Sequence, residues 1–319
     1  DIGRDLADLP DQIGQAAQRY RDEIWQAHKE PLVGVLFDQE NDILWSVLAD
    51  SSRDINVDFP VKARVGAGRA LINANIPWEY VTASDLRKGL AGRYRIIYLP
   101  AMFTVSEDLM PILDDYVAAG GRLVADMPSY YFDDKSRMIL TGKDTPFETL
   151  FGTTIDDFQY ASNVVRYLND HKLSGYVVDM TPTTARVLAT YDTGAPAVTE
   201  SQYGKGTAVI LGYEAALMCF EPGNTAGEHQ LAEYVLGPNT SPYECKDAIV
   251  YRICAPQADH YFLINDGMAR TVYLTVHDRA YAAGEDAVDG TPVNVSGRIA
   301  VELPRESGVW LRLEKGEEA

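Results

Sequence analysis

The stretch YRIIYLPAMFTVSEDLMPILDDYVAAGGRLVADMP, residues 94–128, constrains this chain more than any other. Each end is a short run of apolar, β-forming residues without polar alternation, the pattern of strands buried on both faces. Between them Leu109, Ile112, Leu113, Tyr116 and Val117 recur at helical spacing. Thr104 or Ser106 is available as the N-cap, and Gly120 and Gly121 stop the helix. A strand, a helix and a strand joined this closely form a right-handed parallel crossover, which needs cover on both faces of its sheet.

The flanking sequence extends the same layer. PLVGVLFD (31–38) and PWEYVTASDL (77–86) read as strands, and VKARVGAGRALINANI (61–76) between them reads as a helix. Upstream, Leu9, Ile13, Ala16, Tyr20 and Ile24 form one apolar stripe of a lead-in helix within residues 1–30. The expected architecture over 31–240 is therefore an α/β layer of flavodoxin-like type. From residue 241 the texture changes: AIVYRICA, HYFLINDG, RTVYLTVHD, GRIAVELP and GVWLRLE are short strands with turn residues between them. They predict a small all-β antiparallel sandwich over 241–319.

Composition excludes several functions. A formal charge of −19 over 319 residues opposes the phosphate attraction that nucleic-acid binding and anionic membrane surfaces require. No apolar run has the length of a membrane span, and the first residues, DIGRDLADLP, have no signal-peptide pattern. The absence of an initiator Met suggests a fragment or a processed chain. Cys219, Cys245 and Cys254 are too few and too irregular for a disulfide framework, so they read as reduced thiols of a cytoplasmic protein. The five histidines have no metal-ligand spacing, and no cofactor is expected. Trp25, Trp45, Trp78 and Trp310 read as core or interface residues rather than sugar platforms.

GKG at Gly204, Lys205 and Gly206 has the look of a phosphate loop, but such a loop must lead into a helix. Here PAVTESQ precedes it and TAVILGY follows, so YGKG is expected at the tip of a β-hairpin with its lysine in solvent. Ligands of open α/β sheets gather at the carboxyl ends of the strands, which directs attention to Asp38, Glu40, Glu79, Asp126 and the turn PAMFT. In class I glutamine amidotransferases a reactive cysteine occupies a strained turn there. This chain has Met102 near that elbow, beside Phe103, and a thioether cannot become a nucleophile. Asp38, Glu40 and Asp126 remain as a candidate acid/base set.

Taken together, VGVLFDQENDILW, the 94–129 unit, DTPFETLFGTTIDDF (144–158) and ARVLATYDTGAPAVTESQYGKGTAVILGYE (185–214) resemble the C-terminal half of family 42 glycoside hydrolases, the β-galactosidases. YRICAPQADHYFLINDG through GVWLRL is similar to that family's small C-terminal β-domain, although NDG at Asn265 to Gly267 departs from its pattern. The resemblance implies an amidotransferase-like domain that has lost its active site and serves trimerisation, followed by a sandwich. It also implies a catalytic (β/α)₈ barrel in the parent protein before Asp1, so no residue here is carried over as catalytic.

The leading expectation is thus a non-catalytic, self-associating region of a β-galactosidase-like hydrolase, as a homotrimer. Two rivals are a free-standing enzyme of the amidotransferase-like superfamily that uses the sheet-edge carboxylates, and a carbohydrate-binding module. The long connection after the fourth strand carries Tyr130, Tyr131, Phe132, Met138, Phe147, Leu150 and Phe151. Such side chains either cover the domain's own core or anchor a partner.

Overall fold

The computed structural model of the protein describes residues 2–49, 58–160, 166–169, 171–173 and 175–316. Backbone contacts divide the chain into two compact units, one of Asp1–Glu30, Ile72–Pro77 and Asn239–Ala319, the other of Pro31–Leu71 and Trp78–Pro238. Helices α1 (Ile2–Arg19) and α2 (Arg21–Gln26) open the first unit. The second is built on β1 (Val33–Phe37), α3 (Gln39–Leu48), α4 (Phe59–Asn73), β2 (Trp78–Thr82), α5 (Ala83–Arg87), β3 (Ile96–Leu99), α6 (Leu109–Ala118) and β4 (Arg122–Ala125).

It continues through α7 (Pro146–Phe151), β5 (Thr153–Tyr160), β6 (Tyr167–Leu168), β7 (His171–Lys172), β8 (Tyr176–Pro182) and β9 (Arg186–Thr190). The hairpin β10 (Pro196–Tyr203) and β11 (Gly206–Leu211), then α8 (Thr225–Leu236), complete it. One seven-stranded sheet runs β2-β1-β3-β4-β11-β10-β9. Its first five strands pair in parallel and the last two add antiparallel. Ile96, Ile97, Tyr98 and Leu99 are all buried, which requires cover on both faces of β3 and explains its unbroken apolar run. Leu109, Leu113 and Val117 of α6 pack with Ile97, Leu99 and Leu123 in the core, while Ile112 is only half-buried.

Two local expectations are corrected. The helix after β3 is capped at Asp108, whose side chain makes no capping bond, rather than at Thr104 or Ser106. Thr104 is drawn instead into a bridge with Phe132, and the Ser106 hydroxyl accepts from Arg87. The second strand also ends earlier than its apolar pattern suggests. Thr82 and Asp85 form a reciprocal capping box, and the chain turns into α5.

The first unit carries β12 (Tyr243–Cys245), β13 (Ile249–Cys254), β14 (Ala258–Asn265), β15 (Arg270–Val276), β16 (Tyr281–Asp286), β17 (Ile299–Leu303) and β18 (Ser307–Lys315). They form antiparallel sheets ordered β12-β15-β17 and β13-β14-β18-β16, whose alternate residues share one core, Tyr261, Leu263, Leu311 and Leu313 from one and Val272, Leu274, Ile299 and Val301 from the other. The lead-in segment belongs to this unit. Arg312 grips Glu23 with two bonds of 2.8 and 2.7 Å, the Tyr20 hydroxyl donates to Glu285 at 2.8 Å, and His28 exchanges backbone bonds with Cys254. Of the predicted stripe, Ala16 is buried and Tyr20 and Ile24 half-buried, but Ile13 faces outward, and the Leu9 side chain lies outside the described residues.

Candidate functional site

The chain leaves β3 through Pro100, Ala101 and Met102. Ala101 has φ +48°, in the left-handed region that costs a residue with a Cβ about 1–2 kcal/mol. Buried bonds from two distant segments, the start of α3 and the stretch after β4, impose it. Ala101 N donates to Asp126 Oδ1 at 2.6 Å, Met102 N to Ser129 Oγ at 2.9 Å, and Asn41 Nδ2 to the Ala101 carbonyl at 3.3 Å. The other Asn41 atom, Oδ1, accepts from Thr104 N at 2.9 Å. The strained residue is therefore Ala101, one position before the Met102 that the sequence suggested. Its side chain is a methyl group, and Met102 is buried in the core, with Phe103 packed edge-on to Trp45. Neither atom set offers a nucleophile.

The three carboxylates divide. Asp126 is fully buried and accepts from Ala101 N, from Tyr98 Oη at 2.8 Å and from Ala216 N at 2.7 Å. Burial pushes its pKa up to about 7, while the three donors pull it down. It braces the elbow, and Asp38 is buried as well. Asp38 caps α3 by accepting from Glu40 N at 3.1 Å, and burial raises its pKa. Glu40 is exposed. Glu79 accepts from the Tyr94 hydroxyl at 2.8 Å. Sequence reading missed Asn41, Ser129, Tyr98 and also Glu214, a nearly buried carboxyl that accepts from Tyr176 N and whose pKa burial raises well above the ordinary range.

The aromatic connection divides as well. Tyr130, Phe147, Leu150 and Phe151 are buried in the unit's own core, where Tyr130 and Phe151 meet edge-on. Tyr131 and Phe132 are half-buried against Phe103. Met138 is 63% exposed and its neighbour Leu140 is 71% exposed. Beside them runs a groove of about 220 Å³, lined by Met110, Leu140 and Phe147 together with Glu107, Asp114 and Asp133. Lys135 and Arg137 pair with Glu107, and Arg137 also holds Asp133 at 2.7 Å.

At the other sheet end, the β10–β11 turn is the expected hairpin tip, Gly204 having φ +58° and Lys205 being exposed. All three cysteines are buried and unpaired, and burial pushes Cys219 and Cys254 up to about 12 and Cys245 to about 11. Among the described residues no group of His, Cys, Asp and Glu is arranged to hold a metal ion. No helix of the described residues is long and apolar enough to cross a membrane.

Residues 32–222 match the family model described as "Beta-galactosidase trimerisation domain". Among curated proteins, the chain is 26% identical over 220 residues to beta-galactosidase LacZ of Lactobacillus acidophilus, covering 66% of this chain and 31% of that protein. It is 29% identical over 190 residues to beta-galactosidase BgaB of a Geobacillus species, covering 56% of this chain and 27% of that protein. The chain thus spans about a third of the length of these relatives. Among solved structures, beta-galactosidase from Bacillus circulans sp. alkalophilus superposes with a TM-score of 0.72 at 19% identity, covering 94% of this chain and 44% of that one. Gan42B, a GH42 beta-galactosidase from G. stearothermophilus, gives 0.68 at 20% identity over 89% of this chain and 40% of that one. The family read from the sequence is borne out: over most of its α/β unit the match is to one domain model, and the chain belongs to the beta-galactosidase trimerisation domain family.

Proposed function

We propose that this chain is a non-catalytic, self-associating region of a β-galactosidase-like glycoside hydrolase, with the chemistry carried by a catalytic barrel elsewhere in the parent protein. The observation that carries this reading is the match of residues 32–222 to a trimerisation domain. The strained elbow supports it, since its side chain is the Ala101 methyl and the carboxylate beneath it, Asp126, is spent on three donors. A flavodoxin-like, amidotransferase-like ancestry is supported by the parallel strands, whose order β2-β1-β3-β4-β11 is the 2-1-3-4-5 order of that class.

Within this reading the α/β domain spans 31–240, the sandwich spans 241–319 after the 1–30 lead-in, and the assembly is a homotrimer. Its compartment is the reducing cytoplasm, in keeping with three buried, unpaired thiols. Asp38, which is buried, and the exposed Glu40 remain the candidate carboxylates of the sheet rim, and Tyr131, Phe132 and Met138 the interface candidates that keep some exposure. The test pairs two measurements on the purified 319-residue chain. No hydrolysis of a chromogenic β-galactoside and concentration-dependent association in sedimentation velocity are expected. Turnover abolished by Asp38→Asn or Glu40→Gln would overturn the non-catalytic half.

A further inference from the structure

Two features of the α/β unit are left over, and they are chemically complementary. The first is the groove beside α6. Of its three carboxylates, Glu107 and Asp133 have cationic partners, whereas Asp114 has none among the described residues. Only burial and the neighbouring Asp115 act on Asp114, and they push its pKa up to about 6. The hydroxyl of Tyr130, which also lines the groove, is buried without a hydrogen-bond partner. An apolar cleft with an unmatched carboxylate and an unmatched hydroxyl calls for a cation on an apolar stem.

The second feature is the hairpin tip. Lys205 is exposed and makes no salt bridge among the described residues, yet its backbone is fixed. Lys205 N donates to the Ala118 carbonyl at 3.0 Å. A Cβ on Gly204 would stand 2.6 Å from Ala118 Cα, and one on Gly206 would stand 2.1 Å from the Gly121 carbonyl. Glycine on both sides thus seats the turn on the end of α6 and presents one lysine with little backbone freedom left to lose on binding.

Groove and lysine are joined by the same helix. Met110 lies in its first turn, Asp114 midway and Ala118 at its last residue, about 12 Å from Met110 and about 6 Å from Asp114 along the axis at 1.5 Å per residue. Two different, complementary patches on each subunit are what a head-to-tail ring of identical subunits requires. Both fall inside the matched 32–222.

We propose that Lys205 of one copy enters the groove of the next, its stem against Met110, Leu140 and Phe147 and its ammonium on the Asp114 carboxylate and the Tyr130 hydroxyl. This pairing rests on the self-association reading above. Asp114 is half-buried and Lys205 exposed, so the pair acts as the orienting contact of the interface, with Met138 and Leu140 supplying apolar area around it.

Charge reversal tests it on the full chain by sedimentation velocity, with circular dichroism to verify folding. Lys205→Glu and Asp114→Lys are each expected to weaken association at least about tenfold, and the double reversal to bring it back to within about threefold of wild type. Asp114→Asn, which keeps the shape, is expected to weaken it too. Lys172→Glu, the same charge change on another exposed lysine, is expected to leave association unchanged. A wild type that associates but is indifferent to Lys205→Glu, or that loses as much from Lys172→Glu, would overturn the pairing alone. A wild type that stays monomeric at high micromolar concentration would overturn the self-association reading and the pairing with it.

Discussion

Replacing Asp126 by asparagine separates the brace at the elbow from its charge. The carboxylate accepts three bonds, from Ala101 N, Ala216 N and Tyr98 Oη. Alanine would orphan all three donors at about 1–3 kcal/mol each, a loss comparable to the whole stability of many domains. Asparagine keeps the volume and one acceptor, and it removes titration. The folded pKa of about 7 lies above the ordinary value of 3.8. Between those values the unfolded chain gives up its proton first, so stability is full at low pH, falls as pH rises toward about 7, and is level above it.

At about 1.4 kcal/mol per unit, wild type is expected to lose roughly 2 kcal/mol from this group between about pH 5.5 and pH 7.5, while Asp126→Asn loses nothing from it. Glu214 shifts in the same direction, and because the Asp126 charge adds to that shift, its loss in the variant moves the difference the same way. The assay is urea unfolding by far-ultraviolet circular dichroism across that range, with the variant gaining on wild type as pH rises. A difference that is constant with pH, or that moves against the variant, would mean the three donors keep the carboxylate ionised and would refute the reasoning.

Three further outcomes follow from the geometry. Gly206→Ala pushes a methyl to 2.3 Å from the Val117 carbonyl, and backbone on backbone cannot yield, so thermal stability should drop by several degrees and the β10–β11 turn should gain amide exchange. Iodoacetamide should label Cys219, Cys245 and Cys254 far more slowly than free cysteine at neutral pH, because all three are buried with raised pKa values, and at ordinary rates in denaturant. Arg122→Met removes the guanidinium that bonds Glu200 Oε1 at 2.7 Å and the α8 carbonyls of Tyr234 and Val235, and it should cost about 3–5 kcal/mol in equilibrium unfolding.

The parallel layer was readable because its signal is local: a strand buried on both faces must be apolar at every position, and residues 96–99 are. The hairpin tip was readable for the same reason, since Gly-Lys-Gly between two β runs leaves the chain one way to turn. The elbow was not. Its strain sits on an alanine, which carries no sequence mark of positive φ, and the bonds that impose it come from Asn41 on one segment and Asp126 and Ser129 on another, far away in sequence. The aromatic connection was half readable. Composition marked its side chains as apolar, but only packing divides Tyr130, Phe147 and Phe151, which fill the core, from Met138, which does not. Asp114 escaped notice because Asp115 beside it is exposed and the pair reads as an ordinary polar helix face.

The grouping of Asp1–Glu30 with Asn239–Ala319 has a consequence for synthesis. Every residue of the α/β unit has been made by Pro238, whereas Glu23 waits for Arg312, and His28 for Cys254. The inserted unit is therefore free to fold while the chain is still growing, and the host that brackets it is not. A pulse-labelled nascent chain stalled once Pro238 has cleared the ribosome should already protect the parallel strands from protease and leave residues 1–30 open to it.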